Sequence, residues 1–276
     1  MIKLVALDLD GTIVNDKLEI SPKTLSLLGH LIQNTSVRVV IATGRMYASA
    51  LPFARQVGVV EPLITYQGAM IREFHGLQNI LYHKPIAVPL AKQVLEVLQK
   101  NKFHANVYIN DTLFTNHHNP HSTYYARMAG VTPVFSDSLL DAITEAPTKI
   151  MAIDDHRIDE MLSLLTHHFP EKLSYCRSRT NFCEVIDAAA SKWNAISHLA
   201  EQWGIHPDEV MAIGDQENDI SMIQHAGIGV AMGNAPDHVK KVANLITETI
   251  HEDGAARAIE QCVLGDFPLK EHSQLA

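Results

Sequence analysis

The first strand is predicted by the stretch Lys3-Leu4-Val5-Ala6-Leu7-Asp8-Leu9-Asp10-Gly11-Thr12, around which the rest of the chain can be interpreted. Its continuous apolar run, Leu4–Leu7, is typical of a strand buried on both faces, as in a parallel sheet. Asp8 and Asp10 follow two residues apart, so a strand would point both carboxylates to one side. Gly11 then lets the chain turn. Ligands bind at such strand ends in open α/β sheets, although two acids there can also be plain solvated residues.

The composition is that of a folded globular protein and disfavours two classes of partner. The 276 residues are 46% apolar and 19% charged, with a net charge of −9. Because there is no long basic run, nucleic acid is not expected as a partner. No apolar stretch approaches the roughly 20 residues of a membrane span, and no signal-peptide pattern opens the chain. Three cysteines without metal-ligand spacing fit a reducing compartment. We therefore expect a cytoplasmic protein without a membrane partner.

Strands and helices alternate at the two ends of the chain. Ser21-Pro22 is a typical helix start, and strands are expected at 37–42 and 62–65 with a helix over 46–57 between them. The alternation resumes at Ser191, a candidate helix cap. From there we expect strands at 210–213, 228–231 and 245–246 and helices at 192–203, 220–225, 236–242 and 254–263. Short connections between such elements imply right-handed crossovers, so the predicted fold class is α/β with a Rossmann-like parallel-sheet core.

The middle of the chain has a different pattern. A hairpin around His75-Gly76 comes first, and Asn110-Asp111 predicts a second one. The other elements expected here are strands at 149–153, 173–177 and 183–186 and helices at 88–99, 121–129, 138–143 and 157–167. Hairpins mixed with helices indicate an α+β unit with an antiparallel sheet. We therefore predict a discontinuous core, residues 1–83 and 189–276, with an inserted α+β domain at residues 84–188.

Polar clusters follow the predicted parallel strands or lie beside them. They are Asp8 with Asp10, Thr43 with Gly44, Lys192, and Asp215 with Asn218 and Asp219. If the strands are neighbours, these clusters meet at one edge of the sheet. Carboxylates suit Mg²⁺, while a hydroxyl, a backbone amide and a lysine bind phosphate. A carboxylate beside Mg²⁺ can attack phosphorus and form an aspartyl-phosphate.

The same residues resemble the motifs of the haloacid dehalogenase-like phosphatases. The motifs are Asp8-Leu9-Asp10-Gly11-Thr12, Thr43-Gly44-Arg45, Lys192 and Gly214-Asp215-Gln216-Glu217-Asn218-Asp219. Their order, with a large insertion between the second and third, resembles subfamily IIB, the Cof-type sugar phosphatases. The resemblance covers essentially the whole chain. It implies a Mg²⁺-dependent phosphomonoesterase for a phosphosugar or similar small metabolite, with the inserted domain as a cap over the site.

For the first motif, the resemblance implies two unequal carboxylates. Asp8 would be the nucleophile and a Mg²⁺ ligand. Asp10 would be the general acid/base, protonating the leaving alkoxide and later activating water, with its backbone carbonyl on the metal.

The phosphoryl group would be bound by residues from all four motifs. The resemblance implies this role for the Leu9 amide, for Thr43 and Gly44, and for Lys192 and Asn218. Lys192 could instead be a solvated residue at a helix start, and Asn218 could simply form a turn.

The remaining metal ligands would come from the fourth motif. Asp215 would bind Mg²⁺ directly. Gln216 would either bind it through its backbone or side chain or have no role beyond forming the loop. Asp219 would not bind the metal itself but would support its ligands. Arg45 is interpreted as a salt-bridging residue rather than a substrate ligand.

The chain departs from the group pattern at three places. Gln67 stands where the group usually has Asn, Trp193 where it has Gly after the lysine, and Ile250-His251 stand before Glu252-Asp253-Gly254 where Asn is usual. None of these touches the nucleophile, the acid/base or the metal ligands. Two other functions remain open: a phosphomutase with the same aspartyl chemistry, and a phospho-ligand sensor without catalysis. The oligomeric state is open as well.

Overall fold

The computed structural model describes residues 1–73, 75–116, 130–179 and 181–265. The strands, in chain order, are β1 (Leu4–Leu7), β2 (Arg38–Ile41), β3 (Leu63–Thr65), β4 (Met70–Arg72), β5 (Ile80–His83), β6 (His104–Ile109), β7 (Thr112–Thr115), β8 (Val134–Phe135), β9 (Lys149–Ile153), β10 (Leu173–Arg179), β11 (Phe182–Asp187), β12 (Val210–Gly214), β13 (Ile228–Ala231) and β14 (Leu245–Ile246). The helices are α1 (Pro22–Asn34), α2 (Tyr47–Val57), α3 (Val88–Lys100), α4 (Leu139–Ala142), α5 (Ile158–His168), α6 (Lys192–Gln202), α7 (Ile220–His225), α8 (Asp237–Lys240) and α9 (Gly254–Ile259).

A parallel sheet with the strand order β14-β13-β12-β1-β2 forms the core of the described chain. β1 lies inside this sheet, and Leu4 is opposite Val210 of β12 on one side and Arg38 of β2 on the other. The strands run in the same direction, so the residues that follow β1, β2 and β12 meet at one edge. The predicted parallel α/β core is confirmed.

Helices cover both faces of this sheet, which is why β1 is apolar at every position. Val5 and Leu7 pack in a cluster with residues of α1, α2 and α9. Leu4 and Ala6 pack on the opposite face with residues of α6 and α7. All four side chains are fully buried, as expected for a strand in the middle of a doubly covered sheet.

β3 runs parallel to the end of β2 as expected, and it also belongs to a small antiparallel sheet. It touches the main sheet through a parallel bridge between Ala42 and Ile64, but it pairs antiparallel with β4, which pairs in turn with β5. The physical reason is a reversal immediately after β3. Tyr66 and Gln67 adopt positive φ angles of 54° and 60°, so the chain turns back beside β3.

The second large sheet has the order β10-β11-β9-β6-β7-β8 in the described residues. Its pairs are antiparallel as predicted, except that β8 runs parallel to β7. One face packs on α3 and α5, and the other packs on the core through Tyr108, Met151 and Phe182. Asn110 and Asp111 form the predicted hairpin turn, with φ angles of 50° and 58°. We call the segment 84–188 the cap; its boundaries stay a prediction.

Asp111, in the turn between β6 and β7, links the cap to the core by hydrogen bonds at the start of α2. Its Oδ1 accepts hydrogen bonds from the Tyr47 amide (2.9 Å) and the Tyr66 hydroxyl (2.6 Å). Its Oδ2 accepts from the Ala48 amide at 2.9 Å. Met46, at the N-cap position of α2, forms no side-chain capping hydrogen bond. The Asp111 carboxylate of the cap satisfies these amides instead. Burial raises the pKa of Asp111, although these hydrogen bonds oppose the shift.

The other predicted elements agree closely, with two exceptions and one open case. The helix expected at 236–242 covers only Asp237–Lys240. β9, α7, β13 and β14 have the predicted bounds. The closing helix, expected to reach Val263, is α-helical only to Ile259 and continues as a π-helical turn over Glu260–Leu264. The helix expected at 121–129 lies outside the described residues. In the parts of the chain that the structure describes, no helix is long and apolar enough to cross a membrane.

Candidate active site

Asp8 lies at the end of β1, where the strand meets a cavity. Its amide donates to the Ile213 carbonyl at 3.1 Å, which continues the sheet pairing and fixes the side chain beside β12. The residue is only 5% exposed. Asp10, two residues later, is exposed at the rim of the same cavity. The two predicted carboxylates therefore lie at the same cavity, with Asp8 buried and Asp10 exposed to solvent.

Lys192 supplies the positive charge next to Asp8. It is the first residue of α6, where Ser191 caps the helix by accepting a hydrogen bond from the Asn194 amide. Its Nζ lies 2.6 Å from Asp8 Oδ1 and 2.6 Å from Asp219 Oδ1. Burial would lower the pKa of Lys192, but the two carboxylates outweigh it and raise the pKa above its ordinary value. The lysine is fully buried, so the alternative of a solvated lysine is wrong.

Asp219 organises the loop after β12. Its Oδ2 accepts from the amides of Asp215 (2.9 Å) and Gln216 (3.0 Å), while Oδ1 takes the Lys192 hydrogen bond. Both oxygens are thus already used by the protein. This arrangement suits the supporting position expected for Asp219 better than direct ligation of a metal.

Asp215 is held over the first loop by three donors. Its carboxylate accepts from the Thr12 hydroxyl at 3.3 Å, the Gln216 side-chain amide at 3.1 Å and the Asn234 side-chain amide at 3.3 Å. Gly11 makes this approach possible, because it has a φ of 83° and a Cβ atom there would lie 2.2 Å from Asp215 Oδ2. Burial and the neighbouring Asp219 raise the pKa of Asp215 to about 7.

The buried carboxylates have the right chemistry for a divalent cation. One oxygen from each of Asp8, Asp215 and Asp219 lies within 4.8 Å of the others. Burial raises the pKa of Asp8 well above its usual range, and Asp219 and Asp215 add to this while Lys192 opposes it. A hard cation bound by oxygen ligands would offset the repulsion among these groups. The donor set therefore fits Mg²⁺.

The loop after β2 leaves donors available at the cavity. The Thr43 hydroxyl accepts from the Arg45 amide at 3.1 Å, which shapes the turn into α2. The amides of Gly44 and Leu9 donate to no residue in the described parts of the chain. Two such amides beside a lysine form a typical anion-binding arrangement.

A chain of polar side chains links this loop to the cap. Asn218 donates to Gln67 Oε1 at 2.8 Å, and Gln67 Nε2 donates to Glu184 Oε2 at 3.2 Å. Lys149 Nζ donates to the same Glu184 oxygen and to the Gly44 carbonyl, both at 3.0 Å. Lys149 and Glu184 belong to cap strands β9 and β11, so the cap is closed against the core.

These residues surround a cavity of about 550 Å³. From the first, second and fourth motifs, the core contributes Asp8, Asp10, Gly11, Thr43, Gly44, Arg45, Asp215, Gln216 and Asn218. The third motif, Lys192, does not line the cavity but contacts Asp8. The cap contributes Lys149, Met151, Phe182 and Glu184.

Two residues beside the turn between β10 and β11 pair with other residues of the cap. Arg177 pairs with Asp159 at 3.0 Å and Asn181 donates to Asp155 at 2.8 Å.

The sequence interpretation missed the residues whose role depends on folding. Lys149 and Glu184 had no motif to mark them, and their only signal was a charge within an otherwise apolar strand. Gln67 was noted as a departure, but its link to the cap was not. Asn234 was not singled out either, although its side-chain amide donates to Asp215 (3.3 Å) and to the Gly11 carbonyl (2.9 Å).

Comparison with known proteins agrees with this geometry. The model of the haloacid dehalogenase-like hydrolase family matches residues 5–259. A Haemophilus influenzae protein that carries a phosphatase name is 33% identical over 268 residues, covering 95% of this chain and 98% of its own length. A 5-amino-6-(5-phospho-D-ribitylamino)uracil phosphatase of Bacillus subtilis is 28% identical over 263 residues, covering 94% and 96%. The crystal structure of a haloacid dehalogenase-like hydrolase from Bacteroides thetaiotaomicron superposes with a TM-score of 0.85 at 31% identity, covering 94% and 99%.

Proposed function

Because the chain belongs to the haloacid dehalogenase-like hydrolases and is a phosphatase of that family, we propose that it hydrolyses phosphomonoesters through an aspartyl-phosphate on Asp8. The substrate is a small phosphorylated metabolite, as the name of the Bacillus subtilis relative states for that protein. A phosphosugar or a phosphate of similar size fits the cavity of about 550 Å³.

The observation that supports this proposal most directly is the hydrogen bonding of the two Asp8 carboxylate oxygens. Oδ1 is held by the Lys192 ammonium at 2.6 Å, whereas Oδ2 accepts no hydrogen bond from the described residues. One oxygen is therefore fixed and the other is available to a phosphorus atom in the cavity. The Lys192 ammonium also opposes the rise in the pKa of Asp8 that burial and the neighbouring carboxylates cause, and so favours the charged nucleophile.

The reaction consists of two displacements at phosphorus. In the first, Asp8 attacks, the ester P–O bond breaks, and Asp10 gives its proton to the leaving oxygen. In the second, Asp10 takes a proton from water, the water oxygen attacks phosphorus, and the bond to Asp8 breaks. Inorganic phosphate leaves, and both carboxylates return to their starting states.

The phosphoryl oxygens are bound by two unused backbone amides, by polar side chains that line the cavity and by a positive charge. The unused amides of Leu9 and Gly44 are two such donors. Thr43 and Asn218 line the same cavity, and Lys192 provides the charge behind Asp8. Together they stabilise the equatorial oxygens of the transition state.

A bound Mg²⁺ would neutralise the phosphate charge next to Asp8. Asp8, Asp215 and the Asp10 carbonyl would hold it, and we assign Gln216 a positioning role instead of ligation. The Gln216 amide orients Asp215, and Asp219 fixes the loop.

The cap, residues 84–188, covers the cavity and excludes water from it. We also propose the cytoplasm as the compartment, because the three cysteines are free thiols and such thiols persist where the medium is reducing.

Phosphate release from a panel of esters tests the proposal. With Mg²⁺ present, the wild type should release inorganic phosphate from sugar phosphates, whereas Asp8→Asn should not. Asp10→Asn should be strongly impaired, and Asp137→Asn, an exposed cap residue, should match the wild type. An isomeric ester in place of free phosphate would identify a phosphomutase. No turnover of any ester, with binding retained, would identify a sensor.

A further inference from the structure

Among the described cap residues that line the cavity, Glu184 carries a side-chain hydrogen-bond acceptor with an unused oxygen. Glu184 is 4% exposed and lines the cavity. Both of its hydrogen bonds, from Lys149 and from Gln67, fall on Oε2. Oε1 accepts no hydrogen bond from any residue in the described parts of the chain. Oε1 is not among the fully buried unpartnered side-chain atoms of the described residues, so a ligand or a water in the cavity can donate to it.

The charge at this point is already balanced within the protein. The Lys149 ammonium contacts Glu184 and the Gly44 carbonyl and lies over the rings of Tyr108 (4.8 Å) and Tyr66 (5.6 Å). The pair is therefore neutral overall. A ligand group that meets Glu184 needs a hydrogen to donate, and it does not need a net charge.

The neighbours of Glu184 define the shape of such a ligand. Met151 lies opposite Glu184 in the β9–β11 pairing, and Phe182 lies two residues before it on the same face. Both line the cavity. The acceptor is thus set between apolar surfaces, which favour a carbon skeleton or a ring that carries a hydroxyl or N–H group.

Gln67 sets the distance between this acceptor and the phosphate site. Its Oε1 holds Asn218, a proposed phosphate ligand, and its Nε2 holds Glu184. One rigid amide therefore spans from the phosphate-binding loop to the cap. Its positive φ of 60° places the side chain between the two domains rather than in the sheet.

We propose that Glu184 Oε1 selects esters whose leaving group donates a hydrogen bond from a hydroxyl or N–H, with Gln67 as the residue that positions it. This selection rests on the proposed phosphatase function and adds the substrate class to it. Sugar and polyol phosphates meet the requirement, and so do N–H-bearing ring phosphates. Phenyl phosphate does not, because its leaving group has no donor apart from the phosphorylated oxygen.

Glu184→Gln tests the selection with little change of shape. Lys149 and Gln67 are both donors, so they will hold the amide oxygen and turn the NH₂ group into the cavity. The acceptor then becomes a donor. The readout is a ratio: kcat/KM for the best of glucose 6-phosphate, ribose 5-phosphate and sorbitol 6-phosphate, divided by kcat/KM for phenyl phosphate. A hydroxyl can still accept a hydrogen bond from that NH₂ group, so the variant exchanges a bond to a charged acceptor for a weaker neutral one. We therefore expect the ratio to fall severalfold.

Glu96→Gln is the matched control, because Glu96 is an exposed residue of α3 far from the cavity lining, and its ratio should equal that of the wild type. A wild-type ratio in Glu184→Gln overturns the inference. If wild type releases no phosphate even from phenyl phosphate, the proposed function itself fails, which is a different result.

Gln67→Asn provides a second test if Glu184→Gln does not fold. It leaves the buried Lys149–Glu184 pair intact, and Asn tolerates the positive φ. Its shorter side chain cannot reach both Asn218 and Glu184, so the acceptor loses its fixed position. The ratio should fall severalfold, and an unchanged ratio in folded protein contradicts the positioning role.

Discussion

Arg45 holds Asp10 by a two-pronged ion pair, with Nε 2.7 Å from Oδ2 and Nη2 2.6 Å from Oδ1. The guanidinium also donates to the Ser49 hydroxyl and lies over the Phe53 ring. Arg45 is thus a salt-bridging residue, as interpreted from the sequence, but its partner is the proposed general acid/base. The fork fixes the direction of the Asp10 carboxylate at the cavity rim.

Replacing Arg45 by Lys should impair proton transfer more than phosphate binding. Lys keeps the charge but cannot hold both carboxylate oxygens at once. We expect kcat/KM to fall about tenfold for alkyl phosphates, whose leaving oxygen needs a proton. The loss should be smaller for p-nitrophenyl phosphate, whose leaving group is stable as an anion. Equal losses on both esters would show that Arg45 acts by binding substrate instead.

Lys192→Met should destabilise the protein strongly. The variant buries Asp8 and Asp219 without the cation that lies 2.6 Å from each. Removing one partner of a buried ion pair costs about 3–5 kcal/mol. Urea unfolding without metal would measure this. Lys172→Met, at an exposed cap position, should change the free energy of unfolding by only about 0.5 kcal/mol or less. A similar small change in Lys192→Met would contradict the central role of the lysine.

Asp111 should make the stability of the closed cap depend on pH. Its folded-state pKa is raised by burial, so the protonated carboxyl is favoured in the folded protein. The resulting contribution is present below the unfolded-state pKa and is lost as pH rises through the folded-state pKa. As pH rises from the unfolded-state pKa of Asp111 through its folded-state pKa, the free energy of unfolding of the wild type should therefore fall relative to that of Asp111→Asn. Urea unfolding of both proteins at a series of pH values measures the difference, and parallel profiles would contradict it.

Metal removal should abolish turnover without unfolding the protein. EDTA-treated wild type should release no phosphate, and added Mg²⁺ should restore release. Asp215→Asn should need a higher Mg²⁺ concentration because one charged ligand is lost. Asn234, which also contacts Asp215, offers a milder comparison: Asn234→Ala should shift the Mg²⁺ requirement in the same direction but less. Full activity in EDTA would refute the metal site.

The sequence predicted the parts of the site that follow one strand each. Asp8 and Asp215 stand directly after buried apolar runs, and parallel pairing brings such ends together whatever the rest of the chain does. The β3 reversal was not predictable, because the positive φ of Tyr66 and Gln67 depends on surrounding packing and neither residue signals it. Strand alternation could mark Glu184 as unusual. It could not show that Glu184 would meet Lys149 and Gln67, since Lys149 lies on another strand of the cap and Gln67 follows β3 in the core.

The central claim is that Asp8 becomes phosphorylated during turnover. Rapid acid quenching of wild type with a ³²P-labelled sugar phosphate and Mg²⁺ should trap label on the protein, and peptide mapping should place it on Asp8. Asp10→Asn should accumulate more label relative to its turnover if water activation is slowed. Asp8→Asn should carry none. Label on Asp8→Asn, or wild type that turns over substrate rapidly without ever carrying label, would contradict the account.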